Sequence, residues 1–223
     1  MLIDHIGYGI IHNYMISHSM DITPDKFSTL NSAYEVCRGV GRLAFPIFAF
    51  FIVEGFIHTR NVWKYALRLL IFAAISEFPF NLGLYQKTFY NDHQNIMLTF
   101  FFALLLLIVL KFIEENRAGL SQPVVYLAYI CAVIAFSDAT YILGCDYSWK
   151  CMLLVSVLYF TRQMKPLNLV AGAAVTSWRE YSPMSFLLLY FYDPQIRPRF
   201  KYAFYVFYPL HLFLIYLVAK FMF

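Results

Sequence analysis

Residues 41–61 read Gly-Arg-Leu-Ala-Phe-Pro-Ile-Phe-Ala-Phe-Phe-Ile-Val-Glu-Gly-Phe-Ile-His-Thr-Arg-Asn. A helix of about 20 such residues crosses the hydrocarbon core of a bilayer. This one also carries Arg42, Glu54, His58 and Arg60. A charge at membrane depth costs at least ~2.5–3.5 kcal/mol on insertion scales, so such groups face a bundle interior or a wet cavity. Glu54 and His58 are four residues apart and share a helix face. A lone anchor helix facing lipid needs none of this, so the stretch demands partner helices.

The rest of the chain supplies them. Of 223 residues, 61% are hydrophobic and only 13% are charged, against about 25% charged in soluble domains. Apolar runs near 20 residues recur, and the short alternating segments of a β-barrel do not. The expected fold is therefore an all-α, polytopic membrane bundle forming a single domain over residues 1–223. The net charge of +4 is read loop by loop as a topology signal, not as a nucleic-acid one. Asp4 and His5 sit where a signal peptide would be uniformly apolar, so no cleavable signal is expected. Cys37, Cys131, Cys145 and Cys151 lack metal spacing and read as packing residues.

Hydropathy predicts spans at residues 1–17, 39–57, 65–84, 95–113, 123–143 and 147–161, two short apolar segments at 167–178 and 183–192, and a last span at 203–223. Residues 18–38 are polar and read as a loop. The short segments read as a pair turning at 179–182, because Arg162 and Lys165 then share a side with Arg197, Arg199 and Lys201. This gives about nine segments. Arg60, Lys64, Lys111, Arg117, Arg162, Lys165, Arg197, Arg199 and Lys201 fall on one side, nine positives, against six on the other: Lys26, Arg38, Lys87, Lys150, Arg179 and Lys220. The positive-inside rule makes the richer side cytoplasmic, with the N-terminus inside.

Polar groups predicted at membrane depth are Asp4, His5, Arg42, Glu54, Arg68, Glu77, Asn95, Asp138 and His211. Ion pairs that fix helix register explain any single one; nine together point to a shared polar cavity. His5 is the strongest catalytic candidate, since an imidazole with a reference pKa near ~6.5 accepts a proton at neutral pH. Asp4 points about 100° away from it on a helix, so Glu54 or Asp138 is the expected partner. His12, His18 and His93 read as loop or interface residues. His58, Arg60 and Lys64 form a basic edge that can hold phosphates. No His-Glu-x-x-His, paired-cysteine, P-loop or Gly-x-Ser-x-Gly pattern occurs, so neither a metal nor a serine nucleophile is expected.

Several blocks together resemble one family. They are Met-Leu-Ile-Asp4-His5-Ile-Gly, Gly41-Arg-Leu-Ala-Phe-Pro-Ile-Phe-Ala-Phe, Val53-Glu-Gly-Phe-Ile-His-Thr-Arg-Asn61, Arg68-Leu-Leu, Ile75-Ser-Glu-Phe-Pro-Phe80, Cys145-Asp-Tyr147 and Phe207-Tyr-Pro-Leu-His211. In this order they resemble the TraX family over nearly the whole chain. The resemblance implies a bacterial inner-membrane acetyltransferase related to the wider transmembrane acyltransferases. The family's founding member acetylates the amino terminus of a conjugative pilin. It further implies acetyl-CoA as a donor entering from the cytoplasm, a peptide, pilin or envelope acceptor, and a first-span histidine, here His5, as the catalytic group with Asp4 and Glu54 near it. On that reading Arg42, His58, Arg60, Lys64 and Arg68 hold the donor, and Glu77, Asn95, Asp138, Asp146 and His211 line the polar cavity. A small-solute transporter and a structural component of a conjugation or secretion machine are the alternatives, since buried charge suits both.

Overall fold

The computed structural model describes residues 1–193 and 201–222, and every described element is helical. The helices are α1 (Leu2–Ile6), α2 (Asn13–Ser17), α3 (Pro24–Gly41), α4 (Ala44–His58), α5 (Val62–Phe80), α6 (Ile96–Glu115), α7 (Gln122–Ile142), α8 (Ser148–Thr161), α9 (Lys165–Val175), α10 (Ser185–Tyr190) and α11 (Lys201–Met222). A π-helical segment, Gly7–His12, joins α1 to α2, and a second, Asn81–Tyr85, continues α5.

Local chemistry sets the boundaries. Asn61 caps α5, its side chain accepting from the Lys64 N–H at 2.9 Å, and Asn95 caps α6 through the Met97 N–H at 3.1 Å. Pro24 and Pro123 occupy the first turns of α3 and α7, where a missing N–H costs nothing. Pro46 has the opposite effect. It sits three residues into α4 and has no N–H to offer the carbonyl of Arg42. That carbonyl accepts instead from Ser182 Oγ at 3.2 Å, so the α3–α4 junction is tied to the turn before α10.

The core lies on α6, where Leu104, Leu106, Leu107 and Leu110 are all fully buried, and on α8, where Leu154, Val155 and Leu158 meet them. α6 packs on α4, α5, α7 and α8; α8 also packs on α4, α7 and α9; α11 lies on α5. Three glycines let the N-terminal helix, the end of α5 and α11 approach closely. A Cβ on Gly9 would meet the Gly83 carbonyl oxygen at 2.5 Å, and one on Gly83 would meet that of Leu212 at 2.6 Å. A Cβ on Gly41 would collide with the Asp4 side chain.

Among the described residues, five helical stretches are long and apolar enough to cross a membrane: Pro24–His58, Val62–Tyr85, Ile96–Glu115, Gln122–Ile142 and Ala203–Met222. α8, with 14 residues, is shorter. The expected pair in 167–192 is present as α9 and α10, which pack together around a turn. At ~16 Å and ~9 Å, from 1.5 Å per residue, neither spans a ~30 Å core. The N-terminal helical run over residues 2–17 is not among the five either. Residues 24–38, part of the stretch read as loop from its polarity, are helical: they belong to α3, which packs against the N-terminal helix. Tertiary packing overrode a polar composition there. Arg197 and Arg199 lie outside the described residues.

Candidate active site

Five separate stretches meet at one end of the bundle. α5 ends there, α6 begins, α7 ends, α8 begins and α9 ends. They enclose a cavity of about 310 Å³. Asp4, His5 and Tyr8 form one wall with Arg38 of α3; Leu84 and Tyr85 close another; Asp146, Tyr147 and Lys150, with Trp178 and Arg179, complete it.

From that wall His5 reaches His211 of α11. His5 Nδ1 lies 2.7 Å from His211 Nε2, and the rings are parallel with centroids 5.0 Å apart. That combination is an edge-to-edge, in-plane N–H···N bond, since stacked faces would put the centroids closer. The proton positions follow from the other end. His211 Nδ1 is 2.7 Å from the carbonyl of Phe207, and a carbonyl only accepts, so Nδ1 carries the proton. In the neutral ring Nε2 is then a bare acceptor, and His5 Nδ1–H must be the donor. His5 Nε2 is left unprotonated, the form a general base needs. Pro209 lies two residues before His211 within α11. Buried Tyr208 packs edge-on against both imidazoles, with centroids 6.1 and 5.6 Å away.

Asp4 does not serve His5. It accepts from Arg38 Nη1 at 2.6 Å, and Arg38 lies over the Tyr8 ring. Asp146 comes from the turn between α7 and α8. Its backbone N–H donates to the Gln94 carbonyl at 3.2 Å and its own carbonyl accepts from Thr99 Oγ1 at 2.7 Å. The next two residues, Tyr147 (φ 59°) and Ser148 (φ 26°), both have left-handed backbones without being glycine. Each such residue costs ~1–3 kcal/mol and persists only where its surroundings over-determine it. Here Tyr147 lies flat on Phe45, centroids 3.9 Å apart at 2°. The Asp146 carboxyl opens into the cavity yet is ringed by protein, which raises its pKa to about 6, with Asp4 adding to the shift.

The residues expected to share a cavity divide between several places. His5, Asp4, Asp146 and His211 come together. Glu54 does not join them: it lies toward the far end of α4, with Oε2 3.7 Å from His58 Nδ1. Asp138 is exposed on α7 and outside the cavity wall, so the expected partner of His5 is neither acid but His211. Glu77 and Asn95 build a structural knot, with Asn95 Nδ2 donating to Glu77 Oε2 at 2.5 Å and to the Ala73 carbonyl at 2.9 Å. His58, Arg60 and Lys64 are exposed at the opposite end of the bundle, ~30 Å along α5 from Tyr85 by helical rise. Arg68 lies over the Tyr65 ring, and Arg42 stands at the α3–α4 junction; the Nε of each is buried without a hydrogen-bond partner among the described residues.

Sequence reasoning passed over Arg38, Tyr8, Tyr85, His93, Lys150, Trp178 and Arg179, all of which line the cavity. Lys150 and Arg179 both sit over the Trp178 indole, at 4.0 and 5.3 Å from its centroid. The one available signal was the Cys145-Asp-Tyr147 block, which sits in this wall.

Comparison with known proteins gives two findings. A family described as "TraX protein" matches residues 1–219. The chain is also 30% identical over 210 residues to a "Probable fimbrial assembly protein FimC, serogroup H1" of Dichelobacter nodosus, covering 80% of this chain and 81% of that protein. No solved structure matches.

Proposed function

We propose a function from one premise: this chain belongs to the TraX family. The reading is a membrane-embedded acetyltransferase that moves acetyl from acetyl-CoA to an amine, or a hydroxyl, of a peptide, pilin-like or envelope acceptor. The observation that carries it is the 2.7 Å hydrogen bond that ties His5, a residue of the cavity wall, to His211 behind it. The fimbrial role named for the Dichelobacter nodosus relative supports a pilus-type acceptor.

Acyl transfer to an amine needs a base to take its proton and a pocket that orders the reactants. His5 supplies Nε2 as that base. When it takes a proton it becomes imidazolium, and its Nδ1–H remains bonded to His211 Nε2, a charge-assisted bond stronger than the neutral one. His211 thus acts as a positioning residue: through Phe207 it fixes its own tautomer and thereby that of His5. The paired Asp4 and Arg38 keep the wall polar without putting a free carboxylate against the imidazole.

The donor's phosphates suit the cation-rich end, where His58, Arg60 and Lys64 are exposed, with Arg68 one turn beyond Lys64 on α5. Taking this end as cytoplasmic by the positive-inside rule, the cavity end faces the acceptor's side, and Asp4 and His5 lie there rather than at the cytoplasmic side expected for the N-terminus.

Transfer of labelled acetyl from acetyl-CoA by the purified chain in vesicles tests the reading. Wild type transfers, His5→Ala falls by about 100-fold or more, and His211→Ala falls less while shifting the pH profile. Full activity in His5→Ala overturns it.

A further inference from the structure

We propose that Asp146 is the seat for a protonated amine on the acceptor, so that this cavity selects an ammonium over a hydroxyl. The inference rests on the acetyl-transfer reading and assigns its acceptor subsite.

Of the two carboxylates in the cavity wall, Asp4 is taken by Arg38 at 2.6 Å. Among the described residues Asp146 has no ion-pair partner within 4.0 Å. Its carboxylate oxygens keep acceptor capacity for a ligand. The cavity's cations act on this carboxylate only from beyond ion-pair distance: Arg38 is bonded to Asp4 and Lys150 and Arg179 lie over Trp178, with Arg38 and Arg179 still bearing on Asp146. The carboxylate is also held unusually firmly. Gly144, at φ +67°, brings the turn so close to the 91–95 loop that a Cβ there would meet the Asp92 carbonyl oxygen at 2.5 Å. Gln94 N–H donates to the Gly144 carbonyl at 2.9 Å, and Asp146 N–H returns a bond to Gln94. Two successive left-handed residues follow directly. Backbone strain clusters where a side chain must be aimed, and here the aimed side chain is an unpaired acid in the same cavity as a base.

The chemistry then runs in order. Asp146 draws in R–NH3+ and holds it beside His5. His5 Nε2 takes one proton and passes it to the water-filled side of the cavity. The freed nitrogen lone pair forms the C–N bond at the thioester carbonyl carbon. As the C–S bond breaks, the second N–H proton moves through His5 to the departing coenzyme A thiolate. The products are R–NH–CO–CH3, coenzyme A thiol and one released proton. A hydroxyl acceptor gives Asp146 no charge to hold.

The test uses the purified full chain in detergent and two small probes, n-butylammonium and n-butanol. Millimolar butylammonium raises the thermal midpoint of wild type by a few degrees, butanol does not, and Asp146→Asn removes the difference while Asp92→Asn keeps it. An equal response of Asp146→Asn and wild type, or no response in wild type, overturns the proposal. Should Asp146→Asn not fold, carbodiimide labelling of wild type decides. Butylammonium slows modification of Asp146 at least threefold relative to butanol if the proposal holds, and equal rates overturn it. His5→Ala separates the two readings: it keeps the butylammonium response in every case, so retained acetyl transfer in that variant counts against the base alone.

Discussion

The two ends of this bundle carry similar kinds of residues and do different things with them. At the His58–Lys64 end, most charge pairs are local, the exception being Glu114, which lies 3.9 Å from Arg162 and accepts from Tyr159. His58 pairs with Glu54 one turn earlier, and Lys111 pairs with Glu115 in the same way. Arg60 and Lys64 are exposed. At the cavity end, charge is convergent. Asp4 meets Arg38 across 34 residues of sequence, and His5 meets His211 across 206. Exposed local pairs contribute little to stability, whereas half-buried convergent ones exist only if the whole fold holds. Convergence of charge around a cavity, rather than density of charge in the sequence, therefore marks a site.

That contrast is broken or sharpened by substitution at each end. The largest effect is expected from His5→Ala, about 100- to 10,000-fold in acetyl transfer, the usual contribution of a general base; assay of labelled acetyl transfer checks it. Next is Asn95→Ala, which removes the cap of α6 and strands Glu77. A loss of about 1–3 kcal/mol is expected as a lower thermal midpoint, with the chemistry spared in the folded fraction. Third is the pH response. Burial raises Asp146 to about 6, so the folded chain binds this proton more tightly than the unfolded one. The stabilisation is complete below the unfolded value near ~4 and disappears as pH rises through about 6. Asp4, Arg38, Arg179 and Tyr147 all bear on it. Asp146→Asn should flatten this slope in melts run from pH 4 to 7; an unchanged slope would place the titration elsewhere. Fourth, Lys64→Ala should raise the KM for acetyl-CoA several-fold with kcat unchanged, because it removes binding without touching the reacting atoms. Smallest is Lys111→Ala, within ~0.5 kcal/mol for an exposed i,i+4 pair, read from the same melts.

Most of the helical architecture was legible because apolar run length and caps are local signals. The spans read at 95–113 and 123–143 open on Asn95 and Pro123, where α6 and α7 begin. The helical stretch at 24–38 was not legible. Its polar composition reads as a loop, and only packing on the N-terminal helix shows why it folds. His5 and His211 were both visible as polar groups at membrane depth, but their pairing was not, since no spacing rule links residues 206 apart. Glu54 drew attention by lying four residues from His58, and that spacing reports the contact it makes. Arg38, Lys150 and Arg179 read as topology charges, because a cation at a helix end looks the same whether it faces water or a cavity.

The in-plane contact between the two imidazoles has a consequence for proton traffic. One hydrogen occupies the 2.7 Å gap; a second, on His211 Nε2, would set two N–H groups head to head. The pair can therefore hold one extra proton and no more, and it must pass that proton out before it can accept another. Under the proposed chemistry, this makes the dyad a single-occupancy gate: each acetyl group delivered has to be matched by a proton leaving through the cavity.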